Sequence, residues 1–152
     1  MQLEGRYLLP APVERVWSTL LDPAVLAQCI PGCQAFQPLG DEEYEAVLAI
    51  GVAAIRGVYK GKVAVLDKQP LQGYRLDVTG SGTSGQITAS GQIALEPDGE
   101  KTLVRYAGEY HVAGPIAGVG QRLFQPVVNL LTSQFFRCVE QRLKAEAEPL
   151  HQ

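Results

Sequence analysis

A change of period constrains this chain more than any other feature. From about Gln34 to Val112 the apolar residues fall at alternate positions, and from Pro115 to about Glu148 they fall at helical spacing. Alternation of this kind reads as strands with one buried and one wet face. Tyr44, Ala46, Leu48 and Ile50 alternate with Glu45 and smaller residues. In "GVYKGKVAV" (57–65), Lys60 and Lys62 mark the wet face, so Tyr59, Gly61, Val63 and Val65 point inward. Tyr74, Leu76 and Val78 point inward against Arg75, Asp77 and Thr79, and Ile87, Ala89, Gly91, Ile93 and Leu95 against Gln86, Thr88, Ser90 and Gln92. Val104, Tyr106, Gly108, Tyr110 and Val112 close the series inward, with Thr102, Arg105, Glu109 and His111 assigned to the wet face. Turn signals at Leu39-Gly40-Asp41, Gln69-Pro70, Gly80 to Gly85 and Pro97-Asp98-Gly99 divide the region into a six-strand antiparallel meander.

The flanks complete the order. Gln2 to Leu9 reads as a strand, closed by Pro10 and Pro12, which cannot donate to a ladder. Pro12 suits a helix start, and Val13, Val16, Trp17, Leu20 and Leu21 fall at helical spacing. Asp22-Pro23 supplies the cap and first turn of a second short helix carrying Leu26 and Ile30, which Pro31-Gly32 ends. After Gly114-Pro115, the residues Ile116, Val119, Leu123, Val127, Leu130, Leu131, Phe135 and Cys138 form one stripe, with Pro126 inside it as a bend. A helix of about thirty residues spans about 45 Å, longer than a domain of this size needs unless a curved sheet wraps it. The expectation is one α+β domain over 1–152: a curved antiparallel seven-stranded sheet on a long C-terminal helix, with two short helices between strands 1 and 2.

At 152 residues, 46% hydrophobic and 19% charged, the chain has the composition of a single soluble domain with a real core. A net charge of −3 argues against nucleic acid as a partner. No stretch is apolar over the roughly 18 residues of a membrane span, and "MQLEGRYLLPAP" lacks the features of a signal peptide. Three cysteines, an odd number, do not make a disulfide framework, so a reducing cytoplasm is the default expectation.

The motifs that suggest chemistry have plainer explanations. "CIPGC" (29–33) offers two thiols, but zinc needs about four N or S ligands. The remaining candidates are His111 on the wet face, His151 at the end of the chain, and Cys138 far along the last helix. A redox pair wants C-x-x-C spacing and a cationic neighbour, and no Lys, Arg or His lies between Arg15 and Cys33. Both cysteines read as small buried groups flanking a helix stop; a disulfide across the turn would need Cα atoms within about 7 Å. "GSGTSG" (80–85) matches the dinucleotide fingerprint literally but is followed by a strand rather than a helix, and so reads as a hairpin. Glu43, Glu45, Asp77 and Glu109 sit in turns or on the wet face, leaving no acid–base pair or nucleophile triad.

What remains is a container. Ala46, Gly61, Ala89, Gly91 and Gly108 leave room on the inward face, and an apolar void suits an apolar guest. The sheet candidates for lining it are Tyr44, Leu48, Tyr59, Val63, Tyr74 and Leu76, with Ile87, Ala89, Tyr106, Gly108 and Tyr110 from the later strands. Trp17 and Ile30 join from the short helices, and Ile116, Val119, Leu123, Val127 and Leu131 from the C-terminal stretch. The connections "AIGVAAIRG" (49–57) and "HVAGPIAGVG" (111–120) are unusually apolar for loops.

"APVERVW" (11–17), "DPAVLAQCIPGC" (22–33), "GVYKGKVAV" (57–65), "YRLDVTGSGTSG" (74–85) and "SQFF" (133–136) stand in an order that resembles the CoxG family of carbon monoxide dehydrogenase subunits, within the START/Bet v 1-like superfamily. "CIPGC" is the most specific of these segments. The resemblance implies a helix-grip fold and no cofactor of the chain's own. It implies an accessory role beside a molybdenum-containing carbon monoxide dehydrogenase-type hydroxylase, whose molybdenum cofactor nothing in this sequence is arranged to bind. It implies a quinone or other lipid-like ligand and a link to the inner face of the membrane. Many members of the family carry an apolar tail after the final helix. This sequence ends at "AEAEPLHQ", so the expectation is transient membrane contact through the apolar loops, tested at Ile55 and Ile116. Two other roles fit the same fold: a cyclase- or dehydratase-like enzyme using the cavity, and an assembly module with a filled core.

Overall fold

The computed structural model describes residues 1–51 and 56–147, the side chains of Val119, Gln121 and Ala147 excepted. The chain runs β1 (Gln2–Leu9), α1 (Val13–Leu20), α2 (Pro23–Cys29), β2 (Cys33–Gly40), β3 (Glu43–Ile50), β4 (Gly57–Gln69), β5 (Gly73–Gly82), β6 (Gly85–Asp98), β7 (Lys101–Ala113), a 3-10 turn (Pro115–Val119) and α3 (Gln121–Ala147). The seven strands form one antiparallel sheet in the order β1-β7-β6-β5-β4-β3-β2. Five hairpins build the meander, and β1 returns to pair with β7, so the two ends of the sheet's sequence meet. Gly82 pairs with Gly85 across the two-residue turn Thr83-Ser84, which makes "GSGTSG" a hairpin.

Local chemistry sets the helix ends. Asp22 caps α2, its Oδ1 accepting from the Ala24 N–H at 2.9 Å, and Pro23 fills the first turn. Beyond Cys29, Gly32 adopts a φ of +75°, and its carbonyl accepts from the Ala49 N–H at 2.8 Å. "CIPGC" therefore ends α2 and ties the chain to β3.

The core lies in two clusters. Leu9, Ala11, Val16, Leu20, Val25, Cys29, Leu95, Val104, Phe136, Val139 and Leu143 join α1, α2 and the second half of α3 to β1, β6 and β7. Tyr59, Ile116, Phe124 and Val127 form the other.

Four expectations need correction. Cys29 is bonded to Cys138, with Cα atoms 5.3 Å apart, so the bond ties α2 to α3; Cys33 is the free thiol. Thr102 is not on the wet face. It shares the parity of Val104, is fully buried, and its Oγ1 donates to the Ala11 carbonyl at 2.8 Å, which removes the cost of hiding a hydroxyl. The apolar stretch after Gly114 is not one helix, because Gly120, at φ +85°, separates the 3-10 turn from α3. That break shifts the buried stripe of α3 to Phe124, Val127, Phe136, Val139 and Leu143, and leaves Leu123 (57%) and Leu130 (44%) exposed. Ile116, expected in an exposed apolar loop, is 4% exposed and packed in the second cluster; Ile55 lies outside the described residues.

Candidate functional site

The concave face of the sheet does not close onto the helices. Along β6, Ile87, Ala89, Gly91 and Ile93 alternate with exposed neighbours but are themselves only half-buried; the strand is buried only at Gly85, beside the hairpin turn, and at Leu95, in the first cluster. Inward residues left half-buried face a void rather than packed side chains. Cross-strand glycine pairs, Gly61 with Gly80 and Gly91 with Gly108, keep side chains out of that space. At Gly108 a Cβ would stand 2.6 Å from the Ser90 carbonyl oxygen, so the close strand approach itself excludes any side chain there.

The void has two lobes of about 370 Å³ each. The first lies under β3–β6, with Leu20, Leu21, Leu26 and Ile30 of the α1–α2 region in its wall. The second runs along β6–β7 and is faced by Phe124, Val128, Leu131 and Thr132 of α3. Ile50, Leu76, Val78, Ile87, Ile93, Phe135 and Phe136 belong to both walls, so the lobes are contiguous. Phe136 stacks between Tyr7 (5.4 Å) and Tyr106 (5.2 Å), with Phe135 edge-on at 5.2 Å, which makes an aromatic partition where the lobes join.

Of the sequence candidates, Ile30, Tyr44, Leu48, Tyr59, Val63 and Tyr74 stand in the first wall and Ala89, Tyr106, Gly108, Tyr110 and Leu131 in the second, with Leu76 and Ile87 in both. Trp17 does not line either lobe; it packs against the first core cluster, edge-on to Tyr74 at 5.8 Å. Ile116 and Val127 are core residues, Leu123 faces away, and the side chain of Val119 lies outside the described residues. Sequence patterning missed Phe36, whose ring stacks on Tyr44 at 4.9 Å, and Phe135 and Phe136, which "SQFF" advertised without revealing their place.

Few polar groups enter the walls. Burial pushes the phenol of Tyr59 up, partly offset by a hydrogen bond with Ser84. Tyr110 donates to Gln125 Oε1 at 3.2 Å, and the Thr132 hydroxyl donates to the Val128 carbonyl at 2.8 Å. Lys62 and Glu109 touch the lobes but are themselves exposed. Among the described residues no group of three or more His, Cys, Asp and Glu could hold a metal. The thiol of Cys33 is raised by burial, which leaves it a weak nucleophile.

Residues 5–144 match the model of the CoxG family of carbon monoxide dehydrogenase subunits. The chain belongs to that family. A conserved protein from Geobacillus kaustophilus is similar to it in structure, with a TM-score of 0.92, 37% identity, and 95% of this chain and 97% of that chain covered. More distant likenesses show the fold alone. They include the Zhui aromatase/cyclase from Streptomyces sp. R1128 (TM-score 0.73, 15% identity, 97% of this chain and 96% of that chain). A START superfamily protein from Mycobacterium smegmatis is another (0.72, 14%, 94% and 97%). The fold is thus the START/Bet v 1-like helix-grip that the sequence resembles. No curated protein matches the chain.

Proposed function

We propose that this CoxG-family chain is a non-catalytic carrier. It binds a neutral apolar molecule, a quinone or similar lipid, between sheet and α3, and serves a molybdenum-containing carbon monoxide dehydrogenase-type enzyme. The observation that supports this reading is the contiguous pair of apolar lobes, each of a size that accepts a small ligand. A filled assembly module has no use for such a void. A cyclase-like enzyme needs an acid or base that titrates near neutrality inside the cavity, and the described walls offer tyrosines whose phenols burial pushes further from it. The family supports the partner, and the cavity supports the cargo.

Native mass spectrometry of the purified protein, followed by organic extraction, tests the cargo. The expected result is an adduct of an apolar molecule, either copurified or acquired from quinone-loaded vesicles. A protein that stays unliganded in both cases overturns the carrier reading. Cargo of this kind is collected from a bilayer, and among the described residues no helix is long and apolar enough to cross one. Contact in this reading is peripheral, and the large hydrophobics exposed on α3 among the described residues are Leu123 and Leu130. Replacing both with Glu should lower cosedimentation with vesicles several-fold at unchanged thermal stability; unchanged cosedimentation removes this face from the membrane contact.

A further inference from the structure

We infer that Tyr74 selects and orients the guest: its hydroxyl donates a hydrogen bond to a neutral carbonyl oxygen on the end of the guest held in the first lobe, and the second lobe takes the hydrocarbon remainder. This deepens the carrier reading and rests on it. Tyr74 stands on the concave side of β5 in the first-lobe wall and is only 8% exposed. Trp17, edge-on at 5.8 Å, holds its ring. Its hydroxyl has no hydrogen-bond partner among the described residues, and desolvation alone drives its phenol well above the ordinary value. The hydroxyl is not sealed off, since the fully buried unpartnered side-chain atom among the described residues is Arg75 Nε, so a molecule in the lobe can reach it. A donor in an apolar wall favours an acceptor over bare hydrocarbon, and a ligand oxygen can be that acceptor.

The other tyrosines do not compete for this role. Tyr59 is engaged with Ser84, Tyr110 with Gln125 and Tyr7 with Glu140, while Tyr44 and Tyr106 are only half-buried. In the second lobe the Thr132 hydroxyl is already bonded to the backbone. The phenol stays protonated and donates, which alone would suit a carbonyl or a carboxylate. The acceptor on the guest is neutral because the cation touching the first lobe, Lys62, is itself exposed, leaving a buried carboxylate uncompensated.

The test uses three probes of one shape: 2-acetylnaphthalene with a neutral carbonyl, 2-ethylnaphthalene with no acceptor, and 2-naphthoate with a charge. Binding is read by quenching of Trp17, the chain's single tryptophan, which touches Tyr74. The ketone should bind tightest. In Tyr74→Phe, which removes one unpartnered oxygen, it should weaken about three- to tenfold, and 2-ethylnaphthalene should bind unchanged or tighter. Independently of any variant, the ketone's carbonyl stretch should lie lower when bound to the unaltered protein than in hexane. Three results overturn the inference: equal effects of Tyr74→Phe on ketone and hydrocarbon, an unshifted carbonyl band, or naphthoate binding as well as the ketone. If 2-ethylnaphthalene binds and the ketone has no advantage, Tyr74 loses its role while the carrier survives. If none of the three binds, both readings fall.

Discussion

At Gly32 the chain passes so close to β3 that a Cβ would sit 2.1 Å from the Ala49 carbonyl oxygen, and the φ of +75° already disfavours any L side chain. Gly32→Ala therefore forces backbone apart where Gly32 and Ala49 are hydrogen-bonded. The expected loss is at least about 2 kcal/mol, read as a lower urea midpoint with an unchanged slope. The helix stop in "CIPGC" was legible, because Pro-Gly chemistry is local. The reason the glycine is indispensable was not, since it depends on the position of residue 49. The same holds for Cys29, whose partner lies 109 residues away, and for Thr102, whose acceptor is the Ala11 carbonyl.

Between elements, β1 is fastened to α3 by Tyr7, whose hydroxyl donates to Glu140 Oε1, while Lys144 pairs with the same carboxylate at 3.2 Å. The hydrogen bond from Tyr7 is the main cause holding the Glu140 carboxyl below its ordinary value, and the same bond, followed by burial, raises the Tyr7 phenol. A carboxyl depressed in the folded state stabilises above its unfolded pKa, near 4.3, and that contribution disappears as pH falls through the folded value. A raised phenol stabilises below its unfolded pKa, near 10, and loses its contribution as pH rises through the folded value. Tyr7→Phe should thus lower stability at neutral pH and move the acid unfolding midpoint upward. Urea titrations from pH 7 to pH 2 should show the gap to the unaltered protein narrowing at the acid end; a gap independent of pH contradicts the linkage. Element boundaries were readable because strand alternation and caps are local signals. The phase of α3 was only partly readable, since Gly120 interrupts the pattern: Val127 is inward as expected, but Phe124, Phe136 and Val139 are buried where Leu123, Phe135 and Cys138 were expected.

At the scale of the whole domain, the sheet wraps a helix of 27 residues, about 40 Å long, and among the described residues the buried apolar side chains gather in two clusters. The inward face of the sheet was legible residue by residue except at Thr102; whether helix side chains filled the space beneath it was not, because that depends on the rotamers and phase of α3. The two lobes are separable by substitution. Ala46, 6% exposed, lines the first lobe, and Ala89 lines the second. Enlarging either to Phe puts aromatic volume into a void rather than into a packed core, so it escapes the usual overpacking penalty of about 1–3 kcal/mol. Both variants should keep or raise the thermal midpoint. A short ketone held at Tyr74 should be lost, at least tenfold, only in Ala46→Phe, whereas a long-chain ketone spanning both lobes should be lost in either variant. Isothermal titration of the two guests against the two variants checks this. A drop of several degrees in both midpoints would mean that the lobes are closed by side-chain packing in solution, and the helix would then grip a core instead of a cargo.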